Sequence, residues 1–599
     1  MKEKIEKIEK IEKIEKIEKI EKIEKIEKIE GKPMTKQTLS RRDFLKGMAA
    51  GAALLGSADW MAGLDERPAS DHPWAAGADQ ALALRQGDAA LDPAAAAVMR
   101  LTFGPRPADL ARVREIGVDA WIEEQLHPET IADEEMDALL LRFPALSMTL
   151  TELVNTYHLP AAGADAAKPP EDDPRGDESP PPNTGNPAPP RFPQTAIREL
   201  VTATVLRAAF SRRQLYELMV DFWSNHFNIY VLKEANRMFK IVDDREVIRK
   251  HALGKFGDLL QASAKSPAML VYLDNLSNKA GVAQENYARE LLELHTLGVN
   301  GGYTQTDVQE TARVLTGWTV RQIKRGVQGA GANVGEFVFD PTTHDTGDKV
   351  VLGLKIKGGG VEEGERLLAM LARHPSTAKF IAVKLVRRFV ADDPPPALVG
   401  RVAATFLESG GDIRQVLATL LRSAEFKAAA GRKVKRPLEY AVSAARALDI
   451  QPFGPALKAR TPSAAVAAGP LPASFGQMLF DALLDMGQAP FYWPTPDGYP
   501  DQAAAWINTA NLLARWNLAL MLTSGKGAGA LFQPDTHEGS AALKTAPEAV
   551  DYWTDRLLHR PLPAAARQHL LDFMGQNVSM AGQRQLVAMI LASPTFQMR

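Results

Sequence analysis

The chain has 599 residues, of which 45% are hydrophobic and 24% charged, the proportions of a globular protein. Its formal net charge of -2 gives no overall field that would attract nucleic acid or an acidic membrane, so we expect neither as a partner. Cysteine is absent, which excludes disulfides, iron–sulfur clusters and cysteine-bound zinc. No pattern in the sequence identifies a cofactor. A divalent metal with oxygen or nitrogen ligands is an alternative that the sequence leaves open.

The first 33 residues are a low-complexity segment that we place outside the fold. Lys4 to Glu30 consists of nine copies of Lys-Ile-Glu. A three-residue period moves its isoleucines around a helix, so they form no lasting apolar stripe. Met34 is therefore a plausible true start.

Residues 34–62 are predicted to be an export signal. Ser40 to Lys46, SRRDFLK, resembles the twin-arginine motif, and an apolar run with small residues near Ala58 or Ala62 follows. An ordinary amphipathic segment is the alternative. The twin-arginine route carries folded proteins, so we expect a periplasmic or extracellular protein. No other stretch has the ~20 apolar residues of a membrane span.

The mature chain reads as a mainly α protein, a multi-helix bundle-like domain over residues 93–599. A linker at 63–92 precedes it, and Asp92 and Pro93 are typical of a helix start. We predict a disordered proline-rich insertion at 161–193 and a linker-like connection at 451–474. Alternating apolar residues around an Asp-Pro turn predict a small inserted β-hairpin at 335–358.

A polar stripe on the helix that begins near residue 285 holds the first candidates for catalysis. At 100° per residue, one arc carries Glu285, Asn286, Arg289, Glu290 and Glu293. Glu290 or Glu293 would be a general base or metal ligand, Arg289 would hold an anionic group, and Asn286 would bind substrate. The same stripe is typical of a solvated helix face with Glu–Arg pairs. His295 lies on the apolar side, where we expect it to be buried and hydrogen-bonded.

The segment DFWSNHFNIY, 221–230, holds a second polar face. Asp221, Asn225 and Asn228 are at i, i+4 and i+7, although Asp and Asn are poor helix formers. We interpret them as binding residues or, alternatively, as a buried network that fixes helix packing. His226, beside Phe222, is a candidate proton shuttle.

Two loops add further candidates. In HDTGDK, 344–349, His344 and Asp345 are a candidate base with its orienting carboxylate or ligands to an ion, and a plain turn is the alternative. The segment GQAPFYWPTPDGYPD, 487–501, offers Trp493 and Tyr499 as stacking faces for a sugar or peptide. Equally, its aromatic residues fill a gap between helices. Asp501 is expected to cap the helix that follows.

Six segments in order resemble the bacterial family called domain of unknown function 1800. They are MRLTFGPRPADLARVREIGVDAWIEEQL, DFWSNHFNIY, the long block YLDNLSNKAGVAQENYARELLELHTLGVNGGYTQTDVQETARVLTGWTV, FDPTTHDTGDKVVLG, RPLEYAVSAARAL and MGQAPFYWPTPDGYPD. The resemblance implies a helical exported protein. It also implies company with another exported family, domain of unknown function 1501. It brings no established activity and no catalytic residues.

Two functions remain open on this reading. The first is an exported hydrolase, with or without a metal, whose Asp, Asn, Glu and His groups converge from facing helices. The second is a non-catalytic envelope protein that binds or assembles with an exported partner through the aromatic loop. Convergence of Asp221, Asn225, Glu290 and His344 in one pocket would favour the first.

Overall fold

Twenty-three α-helices dominate the part of the chain that the computed structural model describes, which confirms the predicted mainly α fold. The described residues are 91–157, 192–321, 335–450, 473–525, 532–576 and 578–599. The Lys-Ile-Glu repeat and the export signal lie outside them. The predicted linker, proline-rich insertion and connection also lie outside them, except for the last two residues of each.

The helices of the first half begin and end at the local signals in the sequence. The Asp92 carboxylate accepts a hydrogen bond from the Ala94 N–H at 3.2 Å, Gly117 ends a helix with φ 84°, and Thr304 forms a capping box with Asp307. These helices are α1 Pro93–Leu101, α2 Pro107–Ile116, α3 Val118–Leu126, α4 Glu134–Leu140, α5 Leu150–Tyr157, α6 Phe192–Phe210, α7 Gln214–His226, α8 Asn236–Asp243, α9 Phe256–Ala264, α10 Pro267–Tyr272, α11 Glu285–Glu290 and α12 Gln305–Val314.

Two helices of this half continue as π-helices. α8 runs into the π-helix Asp244–Arg249, and α11 runs into the π-helix Leu291–Thr296. The second falls within the predicted polar stripe. A π-turn has a wider backbone than an α-turn, and it is often found at functional sites.

The β structure differs in its pairing from the predicted single hairpin. β1 Trp318–Val320 pairs antiparallel with β2 Phe337–Phe339, and β3 Lys349–Val351 pairs antiparallel with β4 Leu354–Ile356. The hairpin proper is therefore β3–β4. Its two turn residues, Leu352 and Gly353, both have positive φ, as a tight type I′ turn requires.

The second half is again helical. Its helices are α13 Val361–Ala372, α14 Pro375–Phe389, α15 Pro396–Glu408, α16 Ile413–Leu421, α17 Ala424–Lys427, α18 Pro437–Ala447, α19 Ala473–Asp485, α20 Thr509–Thr523, α21 Ala546–Leu558, α22 Ala564–Met574 and α23 Met580–Ala592.

The core lies around α18. All 11 of its residues are buried, and it packs against α6, α19 and α20. Small side chains such as Ala441, Ser443 and Ala444 allow the neighbouring helices to pack closely against α18. Gly104 also lies against Ser443. Polar groups on α18 form hydrogen bonds with residues that are distant in sequence. The guanidinium of Arg446, for example, donates to the carbonyls of Gly104 and Ala209.

Two packing contacts place the candidate residues. α7 packs against α6 and α3, while α14 packs against the π-helix 291–296. α7 ends at His226, so Asn228 lies beyond the helix rather than on its face as predicted. The segment 487–501, which we call the aromatic loop, follows α19 and lies on the C-terminal end of α7.

Candidate functional site

The asparagines of the second polar face hold the aromatic loop. The Asn225 side-chain amide donates to the Tyr499 carbonyl at 2.9 Å, and its oxygen accepts from the Tyr499 N–H at 2.7 Å. The Asn228 amide donates to the carbonyls of Trp493 at 3.0 Å and Thr495 at 2.7 Å. These contacts give the two poor helix formers a structural role, because they pair backbone groups of a loop that has no ladder of its own.

A small cavity of about 40 Å³ lies under this loop. Asp221, Ser224, Asn225, Phe491 and Tyr499 are among its lining residues. The Ser224 hydroxyl has no hydrogen-bond partner in the described part of the chain. The volume holds one or two water molecules and no substrate. Glu290 and His344 do not line it, so the four groups expected in one pocket do not meet there.

Asp221 belongs to a buried cluster of charged side chains. Its carboxylate forms ion pairs with Arg388, at 3.2 Å, and with Arg436. Arg388 and Arg436 also flank Glu439, and Arg599 approaches the same carboxylate at 2.9 Å. We call these five residues the Glu439 cluster. A carboxylate between two guanidinium groups is neutralised and unsuited to binding a further cation.

Asp501 corrects the predicted helix cap. The residue that caps α20 is Asn508, whose side chain accepts from the Asn511 N–H. Asp501 instead lies beside the Glu439 cluster, 3.6 Å from the Lys433 ammonium and 3.7 Å from the Arg436 guanidinium. Burial opposes its ionisation, but Lys433, Arg436 and Arg388 hold the pKa of Asp501 below its usual value. The sequence predicts a cap because Asp501 lies just before a helix start. In the structure, Asp501 is held instead by charged side chains from other segments of the chain.

Most of the polar stripe is held by neighbouring side chains. Arg289 donates to Glu285 at 3.1 Å and to Gln305 at 3.0 Å, and Glu293 accepts from the Tyr303 hydroxyl at 2.9 Å. The Asn286 amide donates to the Leu273 carbonyl at 3.2 Å and to Asp274 at 3.3 Å. For Glu285 and Arg289, the expected intra-helical pair is confirmed.

Glu290 is the exception in the stripe. It is half-buried, and no described residue forms a hydrogen bond or ion pair with its carboxyl group. Burial raises the pKa of Glu290, the negative charges of Glu293 and Asp497 raise it further, and Arg289 opposes them. A carboxyl group in this setting keeps its proton to higher pH than a solvated one.

Asp497, on the aromatic loop, is the residue outside the polar stripe whose charge acts on Glu290. Its carboxylate accepts from the Trp493 indole N–H at 3.0 Å and from the Thr495 hydroxyl at 2.6 Å. Trp493 in turn lies 4.9 Å from the Tyr499 ring. Sequence reasoning selected Trp493 and Tyr499 but missed Asp497, although the Pro-Asp-Gly turn that contains it was visible.

Tyr272 joins the loop to the stripe. Its hydroxyl donates to the Pro494 carbonyl at 2.8 Å, and its own carbonyl accepts from the Lys233 ammonium at 2.6 Å. Burial raises the pKa of Tyr272, and the charges of Asp497 and Glu290 add to this effect. The charges of Glu290, Glu293 and Asp497 thus act on one another or on Tyr272, and Trp493 is hydrogen-bonded to Asp497; we call these five residues the Glu290 site.

The backbone around the Glu290 site is strained. Glu234, Asp274 and Phe491 have φ values of 48°, 61° and 69°, in the left-handed region that residues with a side chain rarely adopt. Asp274 pairs with Lys233 at 2.6 Å, and the Phe491 carbonyl accepts from the Val231 N–H. Strained residues cluster at functional sites, and Asp274 accepts a hydrogen bond from Asn286 of the polar stripe.

His226 is enclosed and neutral. Its Nε2 donates to the His295 carbonyl at 3.1 Å, which leaves Nδ1 as the acceptor for the Lys384 ammonium at 2.9 Å. Burial holds the pKa of His226 well below its usual value, and Lys384 and His295 add to this. Its ring stacks parallel to Phe222, as expected from the spacing. His226 therefore reaches the surface only through Lys384.

Of the two properties predicted for His295, burial is confirmed and hydrogen bonding is not. It is buried, and burial together with Lys384 lowers the pKa of His295 to about 3. Its Nε2, however, has no hydrogen-bond partner among the described residues.

His344 and Asp345 do not form the expected base and orienter. His344 lies buried between the Thr316 carbonyl, 2.7 Å from Nδ1, and Glu363, 3.0 Å from Nε2. Asp345 forms a two-pronged ion pair with Arg313, which lowers the pKa of Asp345 to about 2. Both groups connect the β-hairpin to neighbouring helices and take no part in the Glu290 site.

In the described ranges, no three His, Asp or Glu side chains are grouped as metal ligands. No helix in those ranges has the length and apolar character needed to cross a membrane.

The family model described as Protein of unknown function (DUF1800) matches residues 96–598. The chain belongs to this family. A search of curated proteins and a search of solved structures each returned no match. Membership of DUF1800 assigns no activity, so the function of this member is argued below from its own residues.

Proposed function

We propose that this DUF1800 protein is an exported hydrolase that cleaves a glycosidic bond by acid–base chemistry at the Glu290 site. One observation carries the proposal: the half-buried Glu290 carboxyl group has no hydrogen-bond or ion-pair partner among the described residues, and its pKa is raised by burial and by the charges of Glu293 and of Asp497, which is hydrogen-bonded to the Trp493 ring. Hydrolysis of a glycosidic bond needs such a pair, one carboxyl group protonated and the other ionised.

Glu290 is the general acid of this proposal. Its raised pKa keeps the proton available at a pH where a solvated glutamate has lost it. The proton passes to the glycosidic oxygen as the bond from that oxygen to the anomeric carbon breaks. The leaving sugar departs as an alcohol.

Asp497 is the partner carboxylate. Two hydrogen-bond donors, Trp493 and Thr495, fix its position. It accepts a proton from the water molecule whose oxygen bonds to the anomeric carbon, so the proton that Glu290 gave up is balanced by the one that Asp497 gains. Transfer of that proton back to Glu290 through solvent resets the pair.

Trp493 supplies the sugar-binding surface. It is only partly buried, and its indole edge is held against Asp497. Aromatic faces bind the apolar faces of sugar rings, and the flat ring loses little conformational freedom on binding. The metal-assisted form of the hydrolase hypothesis finds no donor set among the described residues, so the proposal assigns no role to a metal.

The second candidate is a non-catalytic envelope protein that binds a glycan or assembles with a partner at the same surface. It is favoured by the number of candidate groups that protein contacts already occupy, among them Asn225, Asn228 and Asp345. On this alternative, Glu290 and Asp497 bind sugar hydroxyls without transferring a proton.

A panel of neutral, acidic and amino-sugar polysaccharides tests the first proposal against the second. We expect the protein from residue 63 onward to release new reducing ends from one of them. Replacing Glu290 by Gln should lower that rate by about 10²- to 10⁴-fold, since it removes a general acid. Glu425→Gln is the matched control, because Glu425 on α17 is half-exposed and paired with Arg401 on α15.

Three results would contradict the proposal that the protein is a hydrolase. Full activity of the Glu290→Gln variant would refute the assignment of the acid. Binding without release of reducing ends, lost in Trp493→Ala, would establish the non-catalytic alternative. Neither binding nor release across the panel would refute the hydrolase and the glycan-binding form of the alternative, and would leave assembly with a partner protein as the remaining reading.

Export through the twin-arginine pathway belongs to the same proposal. It is supported by the SRRDFLK motif and the apolar run behind it. The chain from Met34 should appear in the periplasm or the medium, and changing both Arg41 and Arg42 to Lys should retain it in the cytoplasm. A periplasmic pool in the variant would contradict this route. Co-purification from that fraction tests the proposed partner of the domain of unknown function 1501 family.

A further inference from the structure

His344 lies in a buried network of charged side chains that takes no part in the proposed chemistry. The side chains of His344 and Glu363 are each 1% exposed, and the Lys349 side chain is fully buried. Nδ1 of His344 faces Thr316, which follows α12, and Nε2 faces Glu363 of α13. The Phe339 ring packs edge-on against the imidazole, 5.0 Å away. Both ring nitrogens are therefore in contact with protein groups.

The Thr316 side of the ring requires a proton on Nδ1. The Thr316 carbonyl lies 2.7 Å from Nδ1, and a carbonyl only accepts. The Thr316 hydroxyl lies 3.1 Å from Nδ1, but it donates its own proton to the Arg313 carbonyl at 2.6 Å. Because a hydroxyl has a single proton, its oxygen is also an acceptor toward the ring. Nδ1 therefore carries a hydrogen and donates it.

The Glu363 side of the ring requires a second proton. Nε2 lies 3.0 Å from one oxygen of Glu363, and that oxygen also accepts from the Gly359 N–H. The other oxygen accepts from the Lys349 ammonium at 2.6 Å. A proton on Glu363 itself would leave this buried ammonium without its counter-charge, which is strongly destabilising. The proton between the two side chains therefore belongs to Nε2, and His344 is an imidazolium.

The charges of the network balance when the ring is charged. Its ion pairs are Arg313–Glu310, Arg313–Asp345, Lys349–Asp345, Lys349–Glu363 and His344–Glu363. Three cationic side chains, with His344 as the third, then face three carboxylates. A neutral ring would leave one negative charge without compensation in a largely buried network.

The network anchors one end of the hairpin β3–β4. On the side of α12, the Leu352 N–H donates to Asp307 at 2.6 Å and the Val350 N–H donates to Glu310 at 3.2 Å. These contacts are part-buried or exposed. Lys349, the first residue of β3, is instead held at Glu363 in the interior, beside His344. The attachment of the hairpin to α13 therefore depends on the pair that His344 forms.

We propose that His344 is a pH-sensitive latch whose imidazolium fixes the hairpin β3–β4 to α13, and that loss of the Nε2 proton releases it. After that loss, the lone pair of Nε2 and the carboxylate of Glu363 are two acceptors 3.0 Å apart without a donor between them. The stabilisation is present while the ring is protonated and is lost as the pH rises. The latch does not involve the Glu290 site, so it is independent of the proposed function.

NMR of the protein from residue 63 onward, labelled with nitrogen-15 histidine, tests the charge of the ring at pH 7. The signals of His344 are those missing in His344→Asn. We expect protons on both ring nitrogens in the wild type, although a solvated histidine is mostly neutral at this pH. In Glu363→Gln, the amide can donate to Nε2, so only Nδ1 should keep its proton. Glu310→Gln is the matched control, because it changes a carboxylate of the same network that does not contact the ring, and it should resemble the wild type.

Hydrogen exchange of the backbone amides in 344–356 tests the latch and needs no histidine substitution. With the intrinsic pH dependence divided out, protection in the wild type should fall about tenfold or more from pH 6 to pH 9, because a charged hydrogen bond is lost. Glu363→Gln should show no such fall. A wild-type ring with an unprotonated Nε2 at pH 7, or the same pH dependence of exchange in the wild type and in Glu363→Gln, would overturn the inference.

Discussion

Glu290 differs from its neighbours in the polar stripe because no described residue forms a hydrogen bond or ion pair with its carboxyl group. Glu285 is paired with Arg289, and Glu293 accepts a hydrogen bond from Tyr303. The carboxyl group of Glu290 is instead shifted toward its protonated form by burial, Glu293 and Asp497. A group kept in an unfavourable electrostatic setting is a candidate for chemistry, whereas a paired group more often serves the fold.

Asn225 gives a prediction at the scale of one residue. Replacing it by Ala leaves both the N–H and the carbonyl of Tyr499 without their partner, so we expect a loss of about 1–3 kcal/mol in the free energy of unfolding. Urea denaturation measures the loss, and hydrogen exchange in 487–501 reports the loop directly.

Asn225→Asp is the matched control. It keeps an acceptor for the Tyr499 N–H but removes the donor to the carbonyl, so its loss should be smaller. Wild-type stability and unchanged loop exchange in Asn225→Ala would show that the asparagine does not hold the loop.

At this scale, the sequence predicted which residues are unusual but not what they contact. Asn225 and Asn228 were selected because Asn is unfavourable in a helix, and each does hold a specific partner. The partner of Asn225 lies 274 positions away in the chain, which no local pattern encodes. The contact of Lys384 with His226, 158 positions away, was missed for the same reason.

The π-helix 291–296 is the element that sets the geometry of the stripe. The Leu297 N–H donates to the Leu292 carbonyl at 2.8 Å, a spacing of five residues, and the Thr296 hydroxyl donates to the Leu291 carbonyl at 2.6 Å. A wheel at 100° per residue therefore places Glu290 correctly relative to Glu285 but not residues after 290. The sequence analysis assumed a continuous α-helix, since periodicity alone does not distinguish one wide turn.

Thr296 provides the test at the scale of this element. Thr296→Val keeps the buried shape and removes the hydroxyl that satisfies the Leu291 carbonyl, so we expect a loss of about 1–3 kcal/mol in the free energy of unfolding by urea.

Thr311→Val on α12 is the control for that variant. Thr311 is fully buried, but its hydroxyl has no partner in the described part of the chain, so the same change should be neutral or stabilising. Equal losses in the two variants would mean that the hydroxyl of Thr296 does not support the π-turn.

Other elements followed directly from local signals. The helix start at Pro93, which the sequence predicts, depends on a cap within a few residues, as do the start at Gln305 and the stop at Gly117. Strand pairing was not, because β2 pairs with β1 rather than with the hairpin that follows it. The sequence of a three-residue strand shows the alternation of apolar and polar residues, but it does not show which strand will be its partner.

The Glu439 cluster connects distant parts of the whole molecule. It joins α7, α14, α18 and the C-terminal Arg599 through one buried carboxylate. Burial opposes ionisation of Glu439, but Arg388, Arg599 and Arg436 hold the pKa of Glu439 well below its usual value. Composition and net charge gave no indication of this cluster, since it forms only when segments from both halves of the chain meet.

Glu439→Gln tests the cluster at the scale of the whole fold. Removing the carboxylate leaves three guanidinium groups short of a counter-charge, so we expect a loss of about 3–5 kcal/mol in the free energy of unfolding at pH 7. The surface pair of Glu425 and Arg401 is the control, and Glu425→Gln should lower the free energy of unfolding far less than Glu439→Gln does.

The same variant has a defined pH dependence. Because the folded-state pKa of Glu439 is depressed, its contribution is complete above the ordinary glutamate value of 4.5 and is lost as the pH falls toward the folded value. The difference between wild type and Glu439→Gln in urea denaturation should therefore be smaller at pH 3 than at pH 7. A difference that grows on acidification would contradict the assignment of Glu439 as an ionised hub.

The pKa of the Glu290 carboxyl group, followed by carbon-13 NMR and assigned by its absence in Glu290→Gln, tests the central claim most directly. The account predicts a value above the ordinary 4.5 in the wild type and a lower value in Asp497→Asn, because that change removes a neighbouring negative charge. A wild-type value at or below 4.5, or no response to Asp497→Asn, would contradict a protonated acid facing a carboxylate from the aromatic loop.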